Sequence, residues 1–79
     1  MMLRVTVMPK PGVLDPEGRA IRQALGHLGL DAVREVRAGK VMLLDVAADD
    51  PAAARALGEE AARKLLANTV IESFTVEVL

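Results

Sequence analysis

The sequence predicts an α+β fold, a two-layer sandwich in which a four-stranded antiparallel sheet carries two helices on one face. Three observations predict it. Leu3, Val5 and Val7 alternate with Arg4, Thr6 and Met8, and Phe74, Val76 and Val78 alternate with Ser73, Thr75 and Glu77, which is the period of half-buried strands at both ends of the chain. Between them, two segments with helical spacing each begin at an Asp-Pro pair, Asp15-Pro16 and Asp50-Pro51. A third strand-like run, Val41 to Ala47, separates the two helices.

Taken in order, the first strand ends at Met8, because Pro9-Lys10-Pro11-Gly12-Val13-Leu14-Asp15-Pro16-Glu17-Gly18 cannot lie inside a central strand or a helix interior. Asp15 accepts from the free N–H groups of the next turn, and Pro16 fits the first helical position, where its missing donor costs nothing. Ile21, Ala24, Leu25 and Leu28 then form an inward stripe, with Arg19, Arg22 and Gln23 outward. Gly29 is a helix stop. Val33 and Val36 mark a second strand and Gly39 a turn. In the third strand Met42, Leu44 and Val46 share one face and Val41 and Leu43 the other, so apolar residues on both faces predict that the outer one meets another chain. After Asp49-Asp50-Pro51, the residues Ala54, Leu57, Ala61 and Leu65 trace the inward stripe of the second helix, and Asn68 in a left-handed conformation ends it. The order strand–helix–strand–strand–helix–strand is the split βαβ, ferredoxin-like arrangement, with expected strand order 4-1-3-2 and both helices on one side through right-handed crossovers.

At 79 residues, the chain is a single domain near the lower size limit for independent folding. With one Phe and no Trp or Tyr its core is aliphatic, which favours self-association as a homodimer or a dimer of dimers. A net charge of -1 argues against nucleic acid as a partner, and the central strands lack the aromatic residues of an RNA-binding sheet. No apolar run approaches the roughly 20 residues of a membrane span, and Met1–Met8 reads as a strand, not a signal peptide. The absence of cysteine excludes disulfides and thiolate metal sites and fits a cytoplasmic location.

No catalytic constellation emerges. His27, the only histidine, cannot build a structural zinc site alone, and Ser73 has no base nearby in sequence. Asp49 and Asp50 are accounted for by helix capping. Gly39-Lys40 precedes a strand, so it is a hairpin turn and not a phosphate loop. Arg37 and Lys40 bracket that turn and are expected to form a cationic patch with Lys10, read either as a solvated surface or as a contact for a partner or an anion. On residues alone two classes fit: a non-catalytic subunit, or a regulatory module of the ACT type, which shares this topology and binds a small amino acid between protomers.

Three blocks resemble the PurS family, the small subunit of phosphoribosylformylglycinamidine (FGAM) synthase. They are 9–18 as quoted, Val-Arg-Ala-Gly-Lys at 36–40 and Leu-Leu-Ala-Asn-Thr-Val-Ile-Glu at 65–72. The resemblance spans essentially the whole chain, departing where the family usually has Gln for Glu17 and Pro for Thr69. It implies a PurS-like fold and a three-component, glutamine-dependent ligase of purine biosynthesis. A large synthetase subunit binds ATP, with its Mg, and formylglycinamide ribonucleotide; a glutaminase subunit releases ammonia; the small subunit joins the two. It also implies that this chain carries no cofactor and no catalytic residue. The expected partner contacts are Lys10, Val13, Leu14, Asp15, Arg37, Lys40 and Asn68, whose charge and turn chemistry exceed what helix initiation requires.

Overall fold

In the computed structural model, which describes residues 1–79, strand β1 (Met2–Pro9) lies at the centre of an antiparallel sheet between β2 (Lys40–Asp45) and β3 (Glu72–Val78). The registers Leu3↔Leu44 and Val5↔Met42 on one side, and Leu3↔Val78, Val5↔Val76 and Val7↔Phe74 on the other, gather these apolar side chains on one face. Leu3, Val5 and Val7 are fully buried. The opposite face carries Arg4 and Glu77, paired at 3.5 Å, together with Val41 and Leu43, which are 60% and 61% exposed.

The sheet has three strands, not four. Val33 and Val36 stand three residues apart, without the strict alternation of a strand, and residues 33–39 run as an unpaired extended segment. Their fixed points lie on the first helix and its cap: the Arg22 Nε–H donates to the Arg34 carbonyl (2.8 Å), and the Ala38 N–H donates to Asp15 Oδ2 (2.8 Å). The segment therefore follows the helix and not the edge of β2. Gly39 consequently closes no hairpin; it passes against Met8 and the Val7 carbonyl, where a Cβ would collide. The three strands that form keep the expected relative order.

Helix α1 (Pro16–His27) starts and stops as the sequence predicts. The Asp15 carboxylate accepts from the Gly18 N–H (3.0 Å), and the helix closes in a Schellman motif. In that motif Leu30 N–H bonds the Leu25 carbonyl (2.9 Å), Gly29 N–H bonds the Gly26 carbonyl (3.0 Å), and Gly29 sits at φ 85°. The helix does not pack on the sheet, however. Gly18 is its one buried residue, Ile21 is exposed, and Leu28 at the cap is 75% exposed. The two-helix layer is thus reduced to α2, and the molecule measures 49 × 24 × 14 Å.

Helix α2 (Pro51–Ala61) is capped by Asp50, which accepts from the Ala53 N–H (2.9 Å), and it continues into a π-helical turn, Ala62–Leu66. Its inward stripe is Ala54, Gly58 and Ala62, which shares Ala54 with the predicted one and then runs one position later; Leu57 is 43% and Leu65 83% exposed. Close approach decides the phase. A Cβ on Gly58 would stand 2.8 Å from methyls of both Leu3 and Val76, so only the smallest residues fit beneath the helix. The i+5 bond from Ala67 N–H to the Ala62 carbonyl (2.9 Å) inserts one extra residue per turn and brings Leu66 and Ala67 back to the core. Asn68 is not left-handed, since no residue other than glycine has positive φ. Its side-chain oxygen accepts from Val70 N–H (3.2 Å), and its own N–H donates to Glu72 Oε1 (2.8 Å), which shapes the turn into β3.

Candidate functional site

The corner after β1 is anchored across the sheet. Lys10 N–H bonds the Ile71 carbonyl and Lys10 Nζ bonds the Thr69 carbonyl, both at 2.8 Å, tying the corner to the turn before β3. The Val13 N–H closes back on the Lys10 carbonyl (3.2 Å), so the corner is a formed loop. From it, Asp15 reaches in two directions, to Gly18 in α1 and to Ala38 in the extended segment. These two backbone donors, with Arg37 nearby, hold its carboxyl below the usual value of 3.8. Gly18 makes the junction possible, because a Cβ there would overlap the Val36 carbonyl and the Asp15 carboxylate.

Corner, helix and segment enclose a cleft of about 590 Å³. Of the seven residues expected to contact a partner, it brings together Lys10, Val13, Leu14, Asp15 and Arg37. Lys40 lies outside it at the start of β2, and Asn68 lies in the turn that receives Lys10. Arg19, Arg22 and Arg34 line the cleft as well, and sequence reasoning missed them. The available signal was two i,i+3 pairs of arginines, Arg19/Arg22 and Arg34/Arg37, on two segments that only the tertiary structure joins. None of the five cleft cations forms an ion pair; the four ion pairs of the molecule involve the N-terminus, Arg4, Arg63 and Lys64.

His27 and Ser73 are exposed, and no group of three or more His, Cys, Asp or Glu side chains converges. Asp50 serves as a cap, so Asp49 and Asp50 form no acid–base pair. No helix is long and apolar enough to cross a membrane. The geometry offers surfaces for contact: the apolar stripe of α1, the outer face of β2 and the cationic cleft.

The chain is a small α+β domain with exposed apolar and cationic surfaces. Comparison with known proteins names the class. Residues 2–79 match the family PurS, described as phosphoribosylformylglycinamidine (FGAM) synthase, and the chain belongs to that family. It is 43% identical over 75 residues to the FGAM synthase subunit PurS of Synechocystis sp., covering 95% of this chain and 75% of that one. The crystal form of Bacillus subtilis PurS superposes with a TM-score of 0.85 at 41% identity, covering 96% and 94% of the two chains. A chain in the structure of PurLQS from Thermotoga maritima superposes with a TM-score of 0.84 at 28% identity, covering 100% and 99%.

Proposed function

We propose that this chain is the small, non-catalytic subunit of FGAM synthase in purine biosynthesis, bridging the ATP-dependent synthetase subunit and the glutaminase subunit. The observation that carries the reading is the end-to-end match to PurS, including a PurS-like chain solved within PurLQS. The ACT-type alternative, an amino-acid-binding regulator, is not favoured by that membership. ATP and Mg belong on the large subunit, and the assembly is cytoplasmic.

In this reading the chemistry is conversion of the amide of formylglycinamide ribonucleotide to an amidine, driven by ATP and fed with ammonia from glutamine. Ammonia has to reach the activated substrate before it is protonated or lost to solvent. A subunit that holds the two active sites in one assembly supplies proximity and excludes water, without touching a reacting atom. The contacts are assigned to Lys10, Val13, Leu14, Asp15, Arg37, Lys40 and Asn68. Leu14, 83% exposed on the corner, is the apolar anchor among them.

A second copy of the chain covers the outer face at Val41 and Leu43 and the stripe of α1, giving a homodimer or a dimer of dimers. Support comes from an extended shape: the radius of gyration is 15.7 Å, against about 11.6 Å for a compact chain of this length.

Pull-down with the large and glutaminase subunits, in the presence of nucleotide and glutamine, tests the bridging role. Co-capture of all three is expected, and the double charge reversal Arg37→Glu with Lys40→Glu is expected to weaken it by at least tenfold. Capture by the doubly reversed chain at parental strength would remove that patch from the interface, and no capture of either partner by the parent chain would remove the function.

A further inference from the structure

The cleft between the Pro9–Asp15 corner, α1 and the 34–37 segment holds five of the ten lysines and arginines of a chain whose net charge is -1. Like charges repel, so surface cations are ordinarily dispersed. Here Lys10, Arg19, Arg22, Arg34 and Arg37 face one concavity that also contains the carboxylates of Asp15 and Glu35. The two carboxylates leave an excess of three positive charges, and both oxygens of Asp15 are already taken by the backbone N–H groups of Gly18 and Ala38.

The cations are also partly preorganised. Lys10 is held by the Thr69 carbonyl. Arg22 is held through Nε by the Arg34 carbonyl, which leaves its terminal nitrogens free to point elsewhere. Four of the five are arginines, whose planar forks suit the paired oxygens of a phosphate. The cleft volume of about 590 Å³ falls within the roughly 300–1,000 Å³ of small-molecule sites. Its lining has only three apolar side chains, which suits a highly charged ligand and not a peptide held by apolar anchors.

We propose that this cleft binds a phosphorylated small molecule of about nucleotide size, its phosphate oxygens gripped by Arg19, Arg34 and Arg37 and its charge balanced by Lys10 and Arg22. The site shares Lys10 and Arg37 with the assigned partner contacts, whereas Arg19, Arg22 and Arg34 lie outside that set; its ligand chemistry has two sources, the polyphosphate of a nucleotide or the phosphate monoester of a sugar phosphate.

Isothermal titration of the full chain at low ionic strength with pyrophosphate, ATP and ribose 5-phosphate tests it, alongside Arg19→Gln, Arg37→Gln and the remote control Arg63→Gln. Saturable binding of at least one of these probes is expected, with Kd raised about tenfold by each cleft substitution, the usual effect of losing one charge-assisted contact, and unchanged by the control. Preference for pyrophosphate and ATP would assign a nucleotide, and preference for ribose 5-phosphate a sugar phosphate. Circular dichroism of each variant checks that the substitutions leave the fold intact. The proposal is overturned if no probe saturates, if Arg63→Gln weakens binding as much as the cleft variants do, or if an oligoglutamate peptide binds while the phosphates do not. None of those results bears on capture of the partner subunits, which is measured separately.

Discussion

Asp15 concentrates several structural duties in one side chain. It caps α1 through Gly18, clamps the extended segment through Ala38, and lines the cleft. Its carboxyl is held below 3.8 by those two backbone donors first and by Arg37 last. In the unfolded chain the donors are gone, so the unfolded state binds the proton more readily. The contribution to stability is therefore complete above the unfolded value and is lost as pH falls through the lower, folded one. Asp15→Asn keeps the shape and removes the charge. The parent is expected to melt at a higher temperature than this variant at pH 7, and the two melting curves should converge as pH falls below about 4. A gap that persisted unchanged at pH 2 would show that the charge is not what the two donors stabilise. The helix-initiating role of Asp15 is legible in the Asp-Pro pair, but its second bond is not, because Ala38 lies 23 residues away and reaches it only through the tertiary path.

Among the elements, the strands were the most readable. In 3–7 and 74–78 the period-2 pattern leaves a single choice of buried face, since a one-residue slip would turn every apolar side chain to solvent. Helix α2 is a different case. The stretch 52–62 is largely alanine, so several phases are nearly equivalent in hydrophobicity, and the narrow gap above Leu3 and Val76 makes the selection by size. Gly58→Val is expected to push α2 away from β1 and β3 and to destabilise the fold by about 1–3 kcal/mol, the range for overpacking a filled core. Chemical denaturation measures this, and an unchanged midpoint would mean that α2 sits farther from the sheet than described. The missing fourth strand has a similarly concrete origin. Local pattern around Val33 and Val36 is compatible with a strand, but Arg22 and Asp15 take up the backbone of that segment from the helix side.

At the scale of the whole molecule, the departures share a direction. Ile21, Leu28, Val41, Leu43, Leu57 and Leu65 are all exposed, in a chain whose fully buried large side chains are Leu3, Val5 and Val7. A single sequence records that these residues are apolar without recording which chain covers them. The cleft was half legible for the same reason: Lys10 and Arg37 stand out through turn chemistry, whereas Arg19 and Arg34 acquire meaning only when two distant segments meet. The exposed set supports the proposed self-association. Sedimentation of the 8.4 kDa chain is expected to give a dimer or tetramer mass, and Val41→Glu with Leu43→Glu should shift it toward the monomer by placing charge on the outer face of β2. A parent chain sedimenting as a monomer at high concentration would rule out the self-associated form.

In the proposed assembly this chain joins two catalytic subunits without performing chemistry itself. The most direct test is FGAM synthesis by the large and glutaminase subunits, measured with glutamine and with free ammonia, in the presence and absence of this chain. Omitting the chain is predicted to abolish the glutamine-dependent rate while leaving the ammonia-dependent rate of the large subunit in place. A glutamine-dependent rate unaffected by its omission would show that the chain is not the bridge between the two subunits.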